Sequence, residues 1–268
     1  MTPTTGPSTP FRIVPIALLA QGGRWRVEAM RGYSAPVLLW FTRGKGRITV
    51  AGQTRGYGPH NLVYIPPKVM HGFDMVGQVY GTALFLPRDM PNVDLPDAPL
   101  HLRLLDAGLQ AEVNAQIDNM QRELDAGRAG SERALEHLTG LFSVWLQRQL
   151  EEGNARDERS GTSADRLAAA YTNLIEEHFR TDQGVAEYAA MLNVTPTHLT
   201  RACNVACGRP ALQLLQDRRH YEARRLLSET RLPIKEVASA LGFSSAAYFS
   251  RAFQAQTGRT PSSFRKNP

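Results

Sequence analysis

The sequence predicts an α+β protein in two parts. An N-terminal β-barrel with trailing helices comes first. An all-α domain follows, with two similar helical units joined by a connecting helix. Three observations predict this. Short apolar runs with turn punctuation fill residues 24–87. Apolar residues at three- and four-residue spacing replace them beyond residue 105. The last hundred residues contain an internal repeat.

Taken in order, residues 1–10 are rich in Thr, Pro, Ser and Gly and read as disordered. The barrel is expected over 11–100. Its candidate strands are 25–30, 37–42, 47–50, 61–65 and 79–86, with turns at Arg43-Gly44-Lys45-Gly46 and Gly56-Tyr57-Gly58-Pro59. Residues 87–99 read as a proline-rich crossing. Helices are expected over 101–152. Leu109, Val113, Ile117, Met120 and Leu124 form one apolar stripe; Leu135, Leu138, Phe142 and Trp145 form a second. Residues 126–130 are the turn between them, and Ser131 reads as an N-cap. The stripes either pack on the barrel or pair with a second subunit. Residues 153–164 carry almost no apolar side chain and read as a linker, leaving 165–268 for the all-α domain.

The chain has 268 residues, 42% hydrophobic and 21% charged, a globular composition long enough for about two domains. Its longest apolar run, near 13–20, contains Pro15 and is too short to span a membrane. It also lacks the basic lead of a signal peptide, so a cytoplasmic location is expected. With only Cys203 and Cys207, a disulfide-stapled scaffold is excluded. The net charge of +6 is uneven: Lys and Arg number 17 against 16 Asp and Glu up to residue 164, but 12 against 4 from Thr195 onward. A neutral front and a basic end suggest a regulatory domain joined to a polyanion-binding one. A basic, solvated surface is the plainer alternative.

The repeat carries the function. Ala189, Leu192 and Val194 correspond to Ala238, Leu241 and Phe243; Arg201-Ala202-Cys203 and Gly208-Arg209 correspond to Arg251-Ala252-Phe253 and Gly258-Arg259. Each unit reads as short helix, tight turn, second helix. A left-handed turn residue is Asn193 in one copy and Gly242 in the other, types that tolerate that conformation. Thr195-Pro196 caps and opens the next helix; Ser244 or Ser245 does so in the second copy. This is the pattern of a helix-turn-helix, over about 184–205 and again over about 234–255. Between them, residues 210–227 place Leu212, Leu215, Ala223, Leu226 and Leu227 on one side and Arg218, Arg219, Arg224 and Arg225 on much of the other. Such a helix would span roughly 27 Å. It could hold two recognition helices near one DNA turn apart, since adjacent major-groove faces lie about 34 Å apart.

The run Ile234-Lys235-Glu236-Val237-Ala238, Leu241-Gly242-Phe243, Tyr248 to Phe253, Gly258 and Thr260 to Arg265 resembles the C-terminal signature of the AraC/XylS family of bacterial transcription regulators. The resemblance covers about 164–268. Cys203 departs from it, standing where the family has an aromatic. The resemblance implies a non-enzymatic, sequence-specific regulator, more often an activator. Its expected partners are double-stranded DNA, RNA polymerase, a small-molecule effector and a second copy of itself. It implies base-facing positions at Thr197, His198, Thr200 and Arg201 in the first unit, and at Ala246, Ala247, Ser250 and Arg251 in the second. Arginine suits a guanine edge because its planar fork donates twice, whereas alanine can only touch a thymine methyl.

In the same family the front domain is often a cupin-like barrel followed by dimerisation helices. The stretch from Gly58 to Phe73 resembles the second cupin motif, and the whole resembles regulators that sense aromatic acids. A pocket for a small carboxylate needs a cation and apolar walls. Arg31, Trp40, Tyr64, His71 and Phe73 are candidates by type, with His71 and Tyr64 foremost, though core aromatics and surface arginines are the plainer reading of each. A cupin enzyme with a DNA-binding tail is the rival. It needs a His-x-His pair plus Glu and a further His for its metal. Arg31-Gly32-Tyr33-Ser34 occupies the expected place of the pair, so neither metal nor cofactor is expected. A regulator whose barrel only dimerises remains a third reading. Cys203 and Cys207, four apart, read as buried structural thiols rather than a redox pair.

Overall fold

The computed structural model describes residues 11–152, 155–157 and 161–266. The front domain contains β1 (Arg12–Pro15), a 3-10 turn over Ile16–Ala20, α1 (Trp25–Glu28), β2 (Val37–Val50), β3 (Gln53–Tyr57), β4 (Asn61–Ile65), β5 (His71–Phe73), β6 (Val76–Phe85) and β7 (Leu100–Leu104). Two long helices follow, α2 (Ala107–Ala126) and α3 (Ser131–Glu151). β8 (Ala155–Asp157) then precedes the helical domain. Residues 1–10 lie outside the described residues.

All strand pairs are antiparallel, in the order β1-β6-β2-β4-β7-β8. The long β2 organises the sheet. Its first half lies between β6 and β4, and its second half pairs with β3 and β5. Among the described residues the order ends at β1 and β8, so the sheet is not a closed barrel. Period-two alternation sorts the side chains. Leu38, Trp40, Leu62 and Tyr64 face α2 and α3, joining Val113, Ile117, Met120, Leu135, Phe142 and Leu146 in one core. Val37, Leu39, Phe41, Val63 and Ile65 face the other way and pack with Ile48, Phe73 and Phe85 in a second.

Several sequence expectations change here. Residues 25–30 alternate like a strand but form the short helix α1, because Arg31 caps its end. Arg31 donates to the carbonyls of Val27 and Ala29 at 2.7 and 3.4 Å. The expected turn at Arg43 to Gly46 lies inside β2, where register shifts around Arg43 absorb the irregularity. Ser131 is the first residue of α3 rather than its cap; Gly130 holds that position at φ 86°, and the Ser131 hydroxyl reaches back to Glu123. The expected linker contains β8, which pairs with β7 through Leu102, Arg103 and Leu104.

The helical domain runs through α4 (Ser163–His178), α5 (Val185–Met191), α6 (Pro196–Cys207), α7 (Ala211–Glu229), α8 (Ile234–Ala240), α9 (Ala246–Thr257) and α10 (Pro261–Lys266). Thr162 and Asp165 close a capping box at the start of α4, which fixes where the helix begins. One core joins all of these helices, and Met30 and Met70 of the front domain are part of it. None of the described helices is long and apolar enough to cross a membrane.

The domains meet along a continuous seam. The β2–β3 turn, Ala51-Gly52, has φ of 49° and 73°, as a two-residue hairpin requires. Its tip touches α4, where a Cβ on Gly52 would come within 2.8 Å of the Ala168 carbonyl oxygen. Trp25 inserts between Tyr221 and Phe264, at ring separations of 5.7 and 6.1 Å. Arg26 pairs with Glu229 at 3.3 Å.

Candidate nucleic-acid interface

The two repeats fold alike. In the first, α5 and α6 meet at Asn193 with φ 54°; in the second, α8 and α9 meet at Gly242 with φ 73°. The second helix of each unit, α6 and α9, starts from an extended cap. The Thr195 hydroxyl accepts from the His198 amide at 3.2 Å, and the Ser245 hydroxyl from the Tyr248 amide at 3.1 Å. Both end on a left-handed glycine, Gly208 and Gly258. Leu199 and Phe249 anchor the inner faces and are fully buried.

Opposite those anchors, the base-facing positions inferred from sequence share one exposed face in each unit. Thr197, His198 and Arg201 are exposed and Thr200 is half-buried. Ala247 and Arg251 are exposed, with Ala246 and Ser250 half-buried. The Ser250 hydroxyl donates to the Ala246 carbonyl at 2.8 Å, so its donor is engaged within the helix. Tyr248, 54% exposed in the first turn of α9, is a candidate reader that the sequence reasoning missed. Its signal was its place in the cap turn, where an aromatic has no core to fill.

The connecting-helix arginines do not form the basic surface that the sequence suggested. Arg218 is buried against Glu176 and Glu222, with its guanidinium over the Phe179 ring at 3.8 Å. Arg219 donates to the carbonyls of Phe179, Thr181 and Gln183. Arg225 pairs with Glu222 and Glu229. Burial acts to raise the Glu222 carboxyl, but hydrogen bonds and charge from Arg225, Arg218 and Arg180 hold it down at about 2. These arginines build the scaffold, and their charge is spent internally.

Of the five effector candidates, Arg31, His71 and Phe73 lie together, with the Arg31 guanidinium 5.6 Å from the Phe73 ring centre, while Trp40 and Tyr64 lie apart from them. Trp40 and Tyr64 face the α2–α3 side, where the Trp40 indole donates to Asn114 at 2.8 Å. Phe73 is in the opposite core. Arg31 and His71 are both 1% exposed and bridge to each other through their backbones beside the domain seam. The His71 Nδ1–H donates to the Val69 carbonyl, and Nε2 is buried with no hydrogen-bond partner among the described residues. Burial, then the charge of Arg31, holds this imidazole neutral, well below the ordinary histidine range. Both thiols are buried, and Cys207 donates to the Cys203 carbonyl. Burial, then Cys207, pushes the Cys203 thiol up to about 12.

Residues 188–267 match a family model described as a helix-turn-helix domain. Over 93 residues the chain is 36% identical to the arabinose operon regulatory protein of Salmonella typhimurium, covering 35% of this chain and 32% of that protein. It is also 36% identical over 109 residues to the HTH-type transcriptional regulator GlxA of Rhizobium meliloti, covering 41% and 33%. The chain thus spans about a third of the length of these curated relatives. Among solved structures, the C-terminal domain of AraT, a response regulator from Geobacillus stearothermophilus, aligns at 31% identity and a TM-score of 0.37, covering 40% of this chain and 87% of that one.

The paired units therefore define a helix-turn-helix domain over residues 188–267. The domain is of the AraC type.

Proposed function

We propose that the chain is a sequence-specific transcription regulator that reads two successive major-groove segments from one polypeptide. The observation that carries this is the pair of identically capped recognition helices, each with an exposed face around Arg201 or Arg251. Arg201 and Thr197 would supply discriminating contacts; Ala246, Ala247 and Tyr248 would give apolar contact to thymine methyls. Selection of duplexes from a randomised pool by the full chain tests this. A single enriched motif with two halves supports it, and no enrichment over input refutes it.

The front domain would act as the regulatory half. It is packed along α4, α6 and α7, so a ligand that favours one arrangement of the seam would bias the DNA-competent population. A small carboxylate is the class proposed, and activation through RNA polymerase the proposed outcome. Leu141 and Val144, 66% and 42% exposed at i and i+3 on α3, would pair with a second copy. A second reading, that this domain only docks and dimerises, draws support from the filled core around Phe41 and Phe73. Thermal shift of the full chain against a carboxylate panel separates the two. A saturating ligand at 100 times its Kd adds about 2.7 kcal/mol.

A further inference from the structure

The two copies of the helix-turn-helix differ at their turn residue, and the difference is informative. Asn193 and Gly242 both have positive φ, so the left-handed conformation alone does not demand glycine. Asn193 is exposed. Gly242 is not: a Cβ built there would collide with the backbone carbonyl of Thr181 and stand 2.8 Å from the Arg180 carbonyl oxygen. The turn of the second unit therefore rests, backbone on backbone, against the loop that leads into the first unit.

That loop is itself fixed. Arg219 of the connecting helix donates to the carbonyls of Phe179, Thr181 and Gln183 at 2.9, 2.8 and 2.7 Å, every second residue along its path. The Thr181 hydroxyl donates to the His178 carbonyl at 2.8 Å. Arg180 pairs with Glu222 on the same connecting helix at 2.9 Å. The loop then enters α5 through the Gly184 amide, which donates to Glu187 at 2.9 Å. A single helix joined to each unit by a short loop leaves a swivel at both ends. A direct contact between the units, on a loop clamped to that helix, removes the swivel.

We propose that the Gly242–Thr181 contact, backed by Arg219, is the spacer that sets the distance and rotational phase between the two recognition helices. It thereby sets the number of base pairs between the two halves of the operator. This rests on the reading of the chain as a regulator that uses both units. Gly242 and Arg219 are positioning residues; neither reads a base.

The test uses the full chain and duplexes of about 30 bp, enough for two helical turns with flanks. A randomised pool is first selected with the wild-type protein. The enriched sequence is then remade with one, two or three base pairs added or removed between its halves. One added base pair turns the second half by about 34° and shifts it by about 3.4 Å. The wild-type protein is expected to lose about tenfold in affinity per step, as for a mismatched base pair.

Gly242→Asn keeps a residue that tolerates the left-handed turn, as the first copy shows, but adds the colliding side chain. It is expected to lose about tenfold at the original spacing and to vary by less than about threefold across the series. Arg219→Gln leaves the turn untouched, frees the loop, and is expected to flatten the same profile. Asn193→Gly is expected to keep the wild-type profile. The proposal is overturned if Gly242→Asn and Arg219→Gln lose affinity equally at every spacing, or keep the wild-type optimum. It is also overturned if the wild-type profile is flat. Failure of the regulator reading looks different, because no sequence is then enriched from the pool at all.

Discussion

Arg218 donates to both carboxylate oxygens of Glu176, at 2.6 and 3.3 Å, and neither side chain is more than 7% exposed. The pair lies on the domain seam, under Gly32 of the front domain. Removing one member of such a pair strands a buried charge and costs about 3–5 kcal/mol. Arg218→Met is expected to lower the free energy of unfolding by that amount, measured by urea titration. Adding Glu176→Leu is expected to restore most of the loss, because no charge then remains unpaired. Equal instability of the single and double variants would contradict this.

Gly32 has ordinary backbone geometry, so a substitution there tests space alone. A Cβ would stand 2.6 Å from the Glu176 carboxylate carbon. Gly32→Ala is expected to cost about 1–3 kcal/mol by displacing that carboxylate. The cost is expected to shrink in the Arg218→Met background, since both changes act on one pair. A double-mutant cycle measures the difference, and full additivity would show that Gly32 acts elsewhere.

Two buried histidines give the stability a slope in mild acid. Burial, then Arg224 and Arg219, pushes His220 down to about 4, and His71 is also held well below 6.5. The unfolded chain therefore takes up protons first as the pH falls below 6.5. Stability is full above that value and declines toward about pH 4. For His220 the loss at pH 5 is about 2 kcal/mol. His220→Gln is expected to flatten this limb in unfolding curves at pH 7 and pH 5, and an unchanged limb would remove His220 as its source.

Arg201→Ala is expected to cost about 1–3 kcal/mol at one base position and little elsewhere. Comparing the variant on the selected duplex and on all single-base changes shows this. Loss on every sequence alike would mark a phosphate contact instead. If about eight phosphates are neutralised, the wild-type log–log salt slope is roughly −7, and Arg201→Ala leaves it unchanged.

Cys203 and Cys207 are expected to resist a maleimide in the folded chain, because both are buried and both thiols are raised above their ordinary range, first by burial. Both are expected to label in urea. Rapid native labelling, or loss of DNA binding under mild oxidant reversed by reductant, would restore the redox reading.

The helix-turn-helix units were legible because they are local. Within each unit the small alanine, the left-handed turn residue and the cap fall in one short stretch, 189–195 in the first and 238–245 in the second. β4 was legible for the same reason, with Asn61–Ile65 bounded by turn residues. The seam was not. Met30 and Met70 look like ordinary sheet-domain core, yet they pack with the helical domain. Arg218 reads as a surface cation until Glu176, 42 residues earlier, is seen beside it. Trp25 alternates with Val27 like a strand residue, and only Tyr221 and Phe264 reveal its use. Tyr64 and His71 are close in sequence but lie apart, because the loop over 66–70 carries the chain from β4, paired with the first half of β2, to β5, paired with its second half.

β8 returns the chain to β7 just before it enters the helical domain. From Asp157 to Gly161 the backbone can reach at most about 14 Å. A helical domain that let go of the front domain would therefore remain on a very short leash, at a local concentration of the order of millimolar or above. Parting and re-docking are then independent of how dilute the protein is. Even a modest weakening of the contacts produces a brief swing and quick recapture, not a lasting separation.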